Sequence, residues 1–558
     1  MLKRFLAVLA ILVMATFVLA ACTGGNGNDE QAGTAPGDPP ATTPADPPGQ
    51  TGDISAAPTG PAGDTTRTDF TILVAALPVS MDPIQSNDNA SSMVNNMLYS
   101  TLIYQSSVDL SVHPSLAESW EFVDAQTLNM VLRRDVVFHN GDPMTAHDIK
   151  FSIERGAVSD QVEIILGMID SVTVHNDYEF TIHLDFPFAP ILSHLAHPAA
   201  GILPMNHLQG ILDSMGEEDG LAHFADNPVG AGPFAFNSIV LGDAVTLVRN
   251  NNYWGHLPVI ETLIYRLVPD PSSRLMAVET GEAQFAQAVA PADIAVAEAS
   301  PNVTMMRRPN MTIHYIGFNN NRAPFDDYRV RQAIHYALDT RGIVQNVFMG
   351  AGAPAQGPLS SQVWGFHPTP SFDLGSQGAN FERAQELLTE AGFPDGFDAA
   401  IWWNIPNTQR STIAEMVQFQ LGQIGINVSI HSYEWPQILD ETERADGEHE
   451  MFIMAWGTVT GDPDYGLFPL FHSSNHGGAG NRTFFSNDEI DRLLDAGRLE
   501  TDPAARLPIY AEAMEVIRDQ SPWVFLWEGE ELHAVSNDMN GLILNPAGHH
   551  NFATVWFE

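Results

Sequence analysis

The chain has 558 residues, which is too long for a single hydrophobic core, so three or four domains or lobes are expected. It carries 68 acidic residues against 24 basic ones, for a net charge of −44. This charge repels nucleic-acid phosphates and anionic lipid headgroups, and the composition therefore argues against a nucleic-acid-binding protein.

The first 22 residues predict the cellular compartment in which the protein works. Lys3 and Arg4 precede an apolar run over residues 5–21, which is shorter than the roughly 20 residues that span a bilayer comfortably. This pattern is typical of a secretory signal peptide over residues 1–21. Cys22 is the only cysteine of the chain, and residues 19–22 (LAAC) resemble the lipobox of bacterial lipoproteins. We therefore predict that Cys22 is the site of lipid attachment.

Residues 22–67 predict a flexible linker behind that lipid. After Cys22 the segment is rich in Gly, Pro, Ala, Thr and Asp and has no aromatic residue up to residue 66. Such a segment cannot bury enough apolar surface to offset the entropy of ordering it. We expect it to tether a folded domain to the membrane.

Folded structure is predicted from residue 68 onward. Apolar and polar side chains alternate over residues 127–138, the period of a half-buried strand, and a second hairpin is predicted over residues 171–184. A helix should begin at Thr145, with Asp148 beside its N-terminus. The other elements predicted in this half are strands over residues 69–75, 244–249 and 261–268 and helices over residues 91–102 and 273–280, the last ending at Gly281.

After residue 397 the predicted strands and helices alternate. The strands cover residues 399–403, 427–432 and 451–456, and the helices cover residues 408–424 and 435–444. Alternating βαβ units predict a parallel sheet, and ligands bind such sheets at the carboxyl ends of the strands. The residues that end or directly follow the first and third strands are Trp402, Trp403, Asn404, Trp456, Gly457 and Thr458.

The sequence lacks several familiar catalytic and metal-binding motifs. The sequence has no Gly-x-Ser-x-Gly elbow, no His-Glu-x-x-His and no pair of cysteines, so it nominates no nucleophile and predicts a protein that is not an enzyme; a secreted hydrolase is the alternative. Three histidine pairs have spacings that could serve a metal. We expect these histidines to be surface or structural residues, with no metal or cofactor site: His194 and His197, His472 and His476, His549 and His550.

Seven blocks of sequence closely resemble the solute-binding proteins of ABC importers, in the family that captures peptides and nickel (family 5). They occur in family order. The blocks are residues 114–120 (PSLAESW), 138–141 (FHNG), 145–152 (TAHDIKFS), 227–234 (NPVGAGPF), 250–254 (NNNYW), 324–333 (PFDDYRVRQA) and 391–397 (AGFPDGF).

The resemblance implies an α/β fold of the two-lobed periplasmic-binding-protein type (type II), with a hinged cleft and an extra N-terminal domain. That extra domain, residues 113–227, is rich in β-structure and does not usually touch the ligand. The first lobe would comprise residues 68–112, 228–310 and 530–558, and the second lobe residues 311–529. The chain would cross between the lobes near residues 310 and 529.

The implied function is that of an extracytoplasmic, lipid-anchored receptor on the periplasmic side or outer face of the cell membrane. It would capture a small-molecule or peptide ligand, most simply a peptide, act as a monomer, and deliver the ligand to an ABC permease with its ATPase subunits. Alternatives left open are an oligosaccharide or metal-chelate ligand and a signalling partner in place of the permease. To the strand-end residues above, the predicted ligand-binding set adds Val459, Asp462 and Tyr465.

One position of the predicted site bears on the ligand. In dipeptide-binding relatives an aspartate three residues before the Asp-Pro-Asp turn pairs with the ligand's α-ammonium group, and the corresponding residue is Val459. The segment after Trp402 also lacks an arginine for an α-carboxylate. We therefore expect longer peptides or a neutral solute rather than ordinary dipeptides, unless Arg410 or Asp462 substitutes for the missing anchors.

Overall fold

The computed structural model describes residues 67–369, 378–478 and 480–558. The predicted signal peptide, Cys22 and residues 23–66 of the predicted linker lie outside these ranges. Within them, no helix combines the length and the apolar character needed to cross a membrane.

Residues 67–112 supply the first strand of the main sheet and a helix beside it. Their elements are β1 (Asp69–Val74), α1 (Asn89–Leu98), β2 (Ile103–Gln105) and β3 (Val112–Pro114). Five of the six side chains of β1 are buried, because this strand is covered on both faces. α1 begins after Asp88, whose carboxylate accepts a hydrogen bond from the Ser91 backbone N–H at 2.9 Å.

Residues 113–227 form a layer with its own sheet. Their elements are β4 (Ala117–Asp124), β5 (Thr127–Leu132), α2 (Ala146–Ala157), α3 (Glu163–Leu166), β6 (Ile169–Asn176), β7 (Glu179–Leu184), α4 (Ile191–His194), α5 (Met205–Met215) and α6 (Glu217–Asp226). The four strands pair antiparallel in the order β4-β5-β7-β6. A large apolar cluster lies beneath them, with Leu128, Phe180 and Ile182 at its centre.

The predicted start of α2 is confirmed. Thr145 is the N-cap residue, and its backbone N–H donates to the Asp148 carboxylate at 2.8 Å. Asp148 also accepts a hydrogen bond from the Met205 backbone N–H at 2.9 Å. The same carboxylate therefore begins α2 and fixes the start of α5.

Residues 228–302 extend the main sheet away from β1. Their elements are β8 (Phe234–Val240), β9 (Ala244–Arg249), β10 (Thr262–Leu267), α7 (Pro271–Glu279), β11 (Phe285–Ala286) and α8 (Ile294–Ala299). β10 and β11 flank β1 and run parallel to it, whereas β8, β9 and β10 pair antiparallel.

The rest of the chain builds the other half of the sheet and then returns to the first. Its elements are β12 (Val303–Phe318), α9 (Tyr328–Ala337), α10 (Thr340–Val347), β13 (Ala353–Pro354), α11 (Phe381–Glu390), β14 (Asp398–Ile405), α12 (Thr408–Gly422), β15 (Asn427–Glu434), α13 (Trp435–Thr442), β16 (Met451–Gly457), α14 (Pro463–Phe471), α15 (Asp488–Leu499), α16 (Pro503–Gln520), β17 (Trp523–Ser536), β18 (Met539–Asn540) and β19 (Trp556–Phe557). As predicted, β14 runs parallel to both β15 and β16.

Two long strands join the halves of the main sheet. Its order is β15-β14-β16-β12-β17-β11-β1-β10-β9-β8, with β13 paired to β17. β12 and β17 are antiparallel, and their register shifts between Pro309 and Ile313. Beyond that shift, alternate residues of β16 and β17 enter two cores on opposite faces of the sheet. The other half has its own cores, and one of them includes Val535, Phe552 and Phe557.

Candidate ligand-binding cleft

Two adjoining cavities lie where residues 457–459 approach the other half of the main sheet. Counting all space between atoms, open solvent included, one has a volume of about 770 Å³ and the other about 440 Å³, and we call them the larger and the smaller cavity on this measure. They share Val459, Ala547 and His549 as lining residues. Because the shared residues form a common wall, we treat the two cavities as one cleft.

Each half of the sheet contributes one wall. Residues 457–459, which end and follow β16, lie on one side with Met311 and Thr312 of β12. The opposite wall is mainly polar. It includes Asn87, Asn89, Asn96, Tyr104, Gln105, Ser107, Glu531, Asn545, His549 and Asn551.

The layer of residues 113–227 also reaches the larger cavity. Ser115, Ser193, Ala196, His197 and Pro198 line it. The resemblance implied that this layer does not usually touch the ligand. In this chain it forms part of the cleft wall, because α4 and the turn after it lie against the same opening.

Gly457, Thr458 and Val459 are held from both sides of the cleft. Gly457 pairs with Thr312 in the β12–β16 ladder, and the Thr458 N–H donates to the Met311 carbonyl at 2.9 Å. One residue past Val459, the Thr460 carbonyl accepts a hydrogen bond from the Gln105 amide at 2.9 Å. The segment predicted from the end of β16 therefore lies in the cleft.

Trp456 and Tyr465 support this segment from behind. The indole N–H of Trp456 donates to the Tyr465 carbonyl at 3.0 Å, and the two rings lie 5.6 Å apart. Tyr465 packs against His194, and burial raises the pKa of its phenol above the ordinary value. Neither aromatic residue lines the two cavities.

Asp462 is committed to an ion pair. Its two carboxylate oxygens accept hydrogen bonds from the Arg506 guanidinium at 2.7 and 2.8 Å. One of them also caps α14 by accepting the Asp464 N–H at 2.9 Å. With both oxygens engaged, Asp462 is not available to replace the aspartate whose position Val459 occupies.

The residues predicted from the end of β14 lie elsewhere. Trp402 is 6% exposed and packs on Tyr433 with ring centroids 4.5 Å apart, whereas Trp403 faces the core on the other side of the sheet. The Asn404 side-chain oxygen accepts a hydrogen bond from Arg410. None of these residues lines the cleft, because β14 is one strand further than β16 from the strands that join the two halves.

Glu531 is the only Asp, Glu, Lys or Arg side chain among the described residues that line the cleft. Burial lowers the pKa of His549 to about 4 and holds that of His197 well below its usual range. Both imidazoles are therefore neutral near pH 7. Glu531 is not among the site residues predicted from the sequence, where its only signal is the acidic run Glu528-Gly529-Glu530-Glu531 close to the predicted hinge.

A group of three potential metal ligands adjoins Glu531. The Nε2 atom of His533 lies 2.9 Å from a Glu531 carboxylate oxygen and 3.1 Å from Nε2 of His550. However, Nδ1 of His533 accepts the Ala288 N–H, and Nδ1 of His550 accepts the Asn545 N–H. A metal-bound imidazole donates a hydrogen from its other nitrogen. The group therefore does not fit a metal in this arrangement.

Both the sequence and the fold of this chain match known proteins. Residues 111–478 match the family model of the bacterial extracellular solute-binding proteins, family 5 (Middle). The glutathione-binding protein GsiB of Pectobacterium atrosepticum is 30% identical over 491 residues, which cover 86% of this chain and 92% of GsiB.

Two further matches cover most of the chain. The dipeptide-binding protein of Escherichia coli K12 is 29% identical, with 83% of this chain and 89% of that protein covered. The structure of HbpA2 from Haemophilus parasuis superposes with a TM-score of 0.79 at 27% identity, covering 88% of this chain and all of that one. The two-lobed fold predicted from the resemblance is confirmed. The chain belongs to family 5 of the bacterial extracellular solute-binding proteins.

Proposed function

We propose that the protein is a receptor that binds a peptide in the cleft between the two halves of its main sheet and delivers it to an ABC importer. The cleft itself carries this proposal. One wall follows β16 and the other includes Asn87, Asn96 and Asn545, and β12 and β17 connect the two halves. A ligand that touches both walls favours the closed arrangement of such a protein.

The chemistry of the cleft favours a peptide. Side-chain amides and hydroxyls, such as those of Gln105, Ser107 and Thr458, can donate to carbonyls and accept from N–H groups along an extended backbone. Relatives named for glutathione and for dipeptides match this chain over more than four fifths of its length. Both of those ligands are short peptides or peptide-like molecules.

We further propose that the lobes have the predicted boundaries, with residues 311–529 closing on residues 68–112, 228–310 and 530–558. In this scheme Gly457, Thr458 and Val459 contact the ligand directly. Trp456, Tyr465 and Asp462 hold that segment in place. Trp402, Trp403 and Asn404 stabilise the lobe from which it projects.

The remaining parts of the proposal concern the protein's surroundings. Lipid on Cys22 anchors the chain, and residues 22–67 let the receptor reach its permease. The protein acts as a monomer and performs no chemical step, since the ATPase subunits of the importer drive transport. The family to which the chain belongs consists of solute-binding proteins.

Identification of the bound molecule tests the proposal. Mass spectrometry of molecules that copurify with the protein, followed by calorimetric titration with tri- to pentapeptides, should identify peptides that bind with micromolar or tighter affinity. Val459→Trp fills the wall shared by the two cavities, and we expect it to abolish this binding.

Val158→Trp is the matched control, because Val158 is 82% exposed and lies outside the cleft. It should bind as the wild type does. Unchanged binding in Val459→Trp would place the ligand elsewhere, and tight binding of oligosaccharides but not peptides would overturn the peptide assignment.

A further inference from the structure

Among the described residues that line the cleft, one side chain carries a formal charge. Glu531 lies in β17 and lines the smaller cavity together with Thr458 and Val459. Its side chain is 19% exposed, so much of its hydration has been removed. Among the described residues that line either cavity, no arginine or lysine is present to compensate it.

One oxygen of the Glu531 carboxylate, Oε2, is in contact with the buried His533 ring. Nε2 of His533 lies 2.9 Å from Glu531 Oε2, and Nδ1 of the same ring accepts the Ala288 N–H at 3.3 Å. His533 is 1% exposed. The carboxylate is therefore oriented by a buried, hydrogen-bonded ring rather than by a flexible surface contact.

The other oxygen, Oε1, receives no hydrogen bond from any described residue of the protein. Arg308 is paired with Glu531 in the β12–β17 ladder. Its guanidinium nevertheless donates to the carbonyls of Ser107 and Leu544 and to the Gln362 side chain. The guanidinium of this strand partner is thus hydrogen-bonded to other groups and not to Glu531.

We propose that Glu531 binds the ammonium group of the ligand, so that this receptor takes its anionic anchor from the lobe opposite Val459. This inference rests on the proposed function. A partly desolvated carboxylate with a free oxygen gains a charge-assisted hydrogen bond when an ammonium group arrives. A ligand carboxylate at the same place is repelled, and the donors it meets on the described lining residues are neutral.

The inference replaces an expectation drawn from Val459 alone, that a ligand ammonium would meet no carboxylate. Asp462 does not fill this role, because it is paired with Arg506. Glu531 faces the cavity that Val459 lines. The ligand class is therefore a short peptide with a free amino terminus at the Val459 end of the cleft, and its carboxyl terminus need not be free.

Glu530 provides a matched control on the same strand. It is ion-paired with Arg307 at 2.8 Å, accepts the Gly352 N–H at 3.1 Å and lies outside both cavities. Glu530→Gln therefore removes one carboxylate from the same part of the hinge without touching the cleft. Glu531→Gln keeps an oxygen for the His533 hydrogen bond and removes only the charge.

The experiment compares free and N-acetylated forms of the same tri- to pentapeptides by calorimetry, on the wild type, Glu531→Gln and Glu530→Gln. We expect the wild type and Glu530→Gln to prefer the free amine by about 10- to 100-fold, the value of one hydrogen bond to a charged group. Glu531→Gln should lose this preference by weakening only for the free amine.

Each outcome decides the inference. Equal affinity of the wild type for free and acetylated peptides overturns it and leaves the proposed function intact, as does a preference that survives Glu531→Gln. If no peptide of either form binds the wild type, the proposed function fails and the inference falls with it. If Glu531→Gln does not fold, the wild-type preference is tested instead with C-terminally amidated peptides: amidation should leave it unchanged, and a loss on amidation overturns the inference.

Discussion

Asp462 and Arg506 form a bidentate ion pair at the end of the loop that joins β16 to α14, with N–O distances of 2.7 and 2.8 Å. Their side chains are 8% and 5% exposed. The pair ties the start of α14 to α16 and so fixes the end of the loop that begins at Gly457. Burial alone would lower the pKa of Arg506, but the Asp462 carboxylate raises it above its usual range.

We predict that Arg506→Met destabilises the protein by about 3–5 kcal/mol, because it leaves a buried carboxylate without its partner. Urea unfolding monitored by tryptophan fluorescence measures the change. The control is Arg444→Met, which breaks the exposed pair of Arg444 with Asp446 and should leave the urea midpoint where it is in the wild type. Similar midpoints for the two variants would contradict the prediction.

Gly232 lies where two backbone segments meet. A Cβ atom added there would be 2.4 Å from the Met97 carbonyl oxygen and 2.5 Å from the Leu98 carbonyl carbon. We predict that Gly232→Ala costs at least about 1–3 kcal/mol of unfolding free energy, since backbone must move to admit the methyl group. Thermal unfolding by circular dichroism gives the measurement.

Gly210→Ala is the matched control for that substitution. Gly210 is inside α5, and a Cβ added there has no atom within 4 Å. Alanine is favoured over glycine in a helix interior by about 0.5–1 kcal/mol, so this variant should unfold at a higher temperature. A Gly232→Ala protein as stable as the wild type would show that the approach of the two segments is looser than described.

His139 predicts a loss of stability in acid. Its Nδ1 accepts the Gly230 N–H at 3.2 Å and its Nε2 donates to the Gly232 carbonyl at 3.1 Å, and burial lowers its pKa to about 4. Above pH 6.5 the ring is neutral in both the folded and the unfolded chain. As the pH falls from 6.5 towards 4 the unfolded chain binds a proton that the folded one does not, so stability falls.

We expect His139 to contribute up to about 1.4 kcal/mol per pH unit to this decline. Unfolding free energies measured at pH 7, 6, 5 and 4.5 should therefore fall less steeply in His139→Gln than in the wild type. His431→Gln, which changes an exposed imidazole, should keep the wild-type slope. Parallel slopes in all three proteins would be evidence against the buried, neutral state of His139.

Cys22 lies outside the described residues, and its lipidation remains a prediction. Expressed with its own leader in a bacterium, the wild-type chain should incorporate a fatty-acid analogue and sediment with membranes. Cys22→Ser should do neither, while the exposed substitution Ser474→Ala should change nothing. A Cys22→Ser protein that stays membrane-bound after its leader is removed would disprove the anchor.

Local signals in the sequence predicted local structure well. Thr145 and Asp148 lie three residues apart and begin α2 through their own hydrogen bond. The alternation of apolar and polar residues over 127–138 predicted the extent of the strand less well, because such alternation reflects which side chains are buried and not which residues pair in a sheet. β5 ends at Leu132, yet Val136 and Phe138 still enter the core from the loop that follows.

The candidate site was predicted in part, for a similar reason. The strand-end rule pointed to Gly457 and Thr458, which line the cleft because β16 neighbours a strand that joins the two halves of the sheet, whereas Val459 was added from the resemblance. It could not tell that Trp402 faces a core, or that Asp462 is paired with a residue more than forty positions later. Glu531 could not be predicted from the sequence, because it reaches the cavity that Val459 lines only through the path of β17 in the folded sheet.

The path of β17 also sets the order in which the protein can fold during synthesis. β11 pairs with Val535 and Ala534 on one edge and with β1 on the other, and the core under β1 includes Phe552 and Phe557. The half of the sheet that the ribosome makes first therefore lacks the strand that borders β11 and part of its core until residues 523–557 emerge. We expect the chain to stay unfolded there for most of its translation, which is the state that a secretion channel accepts.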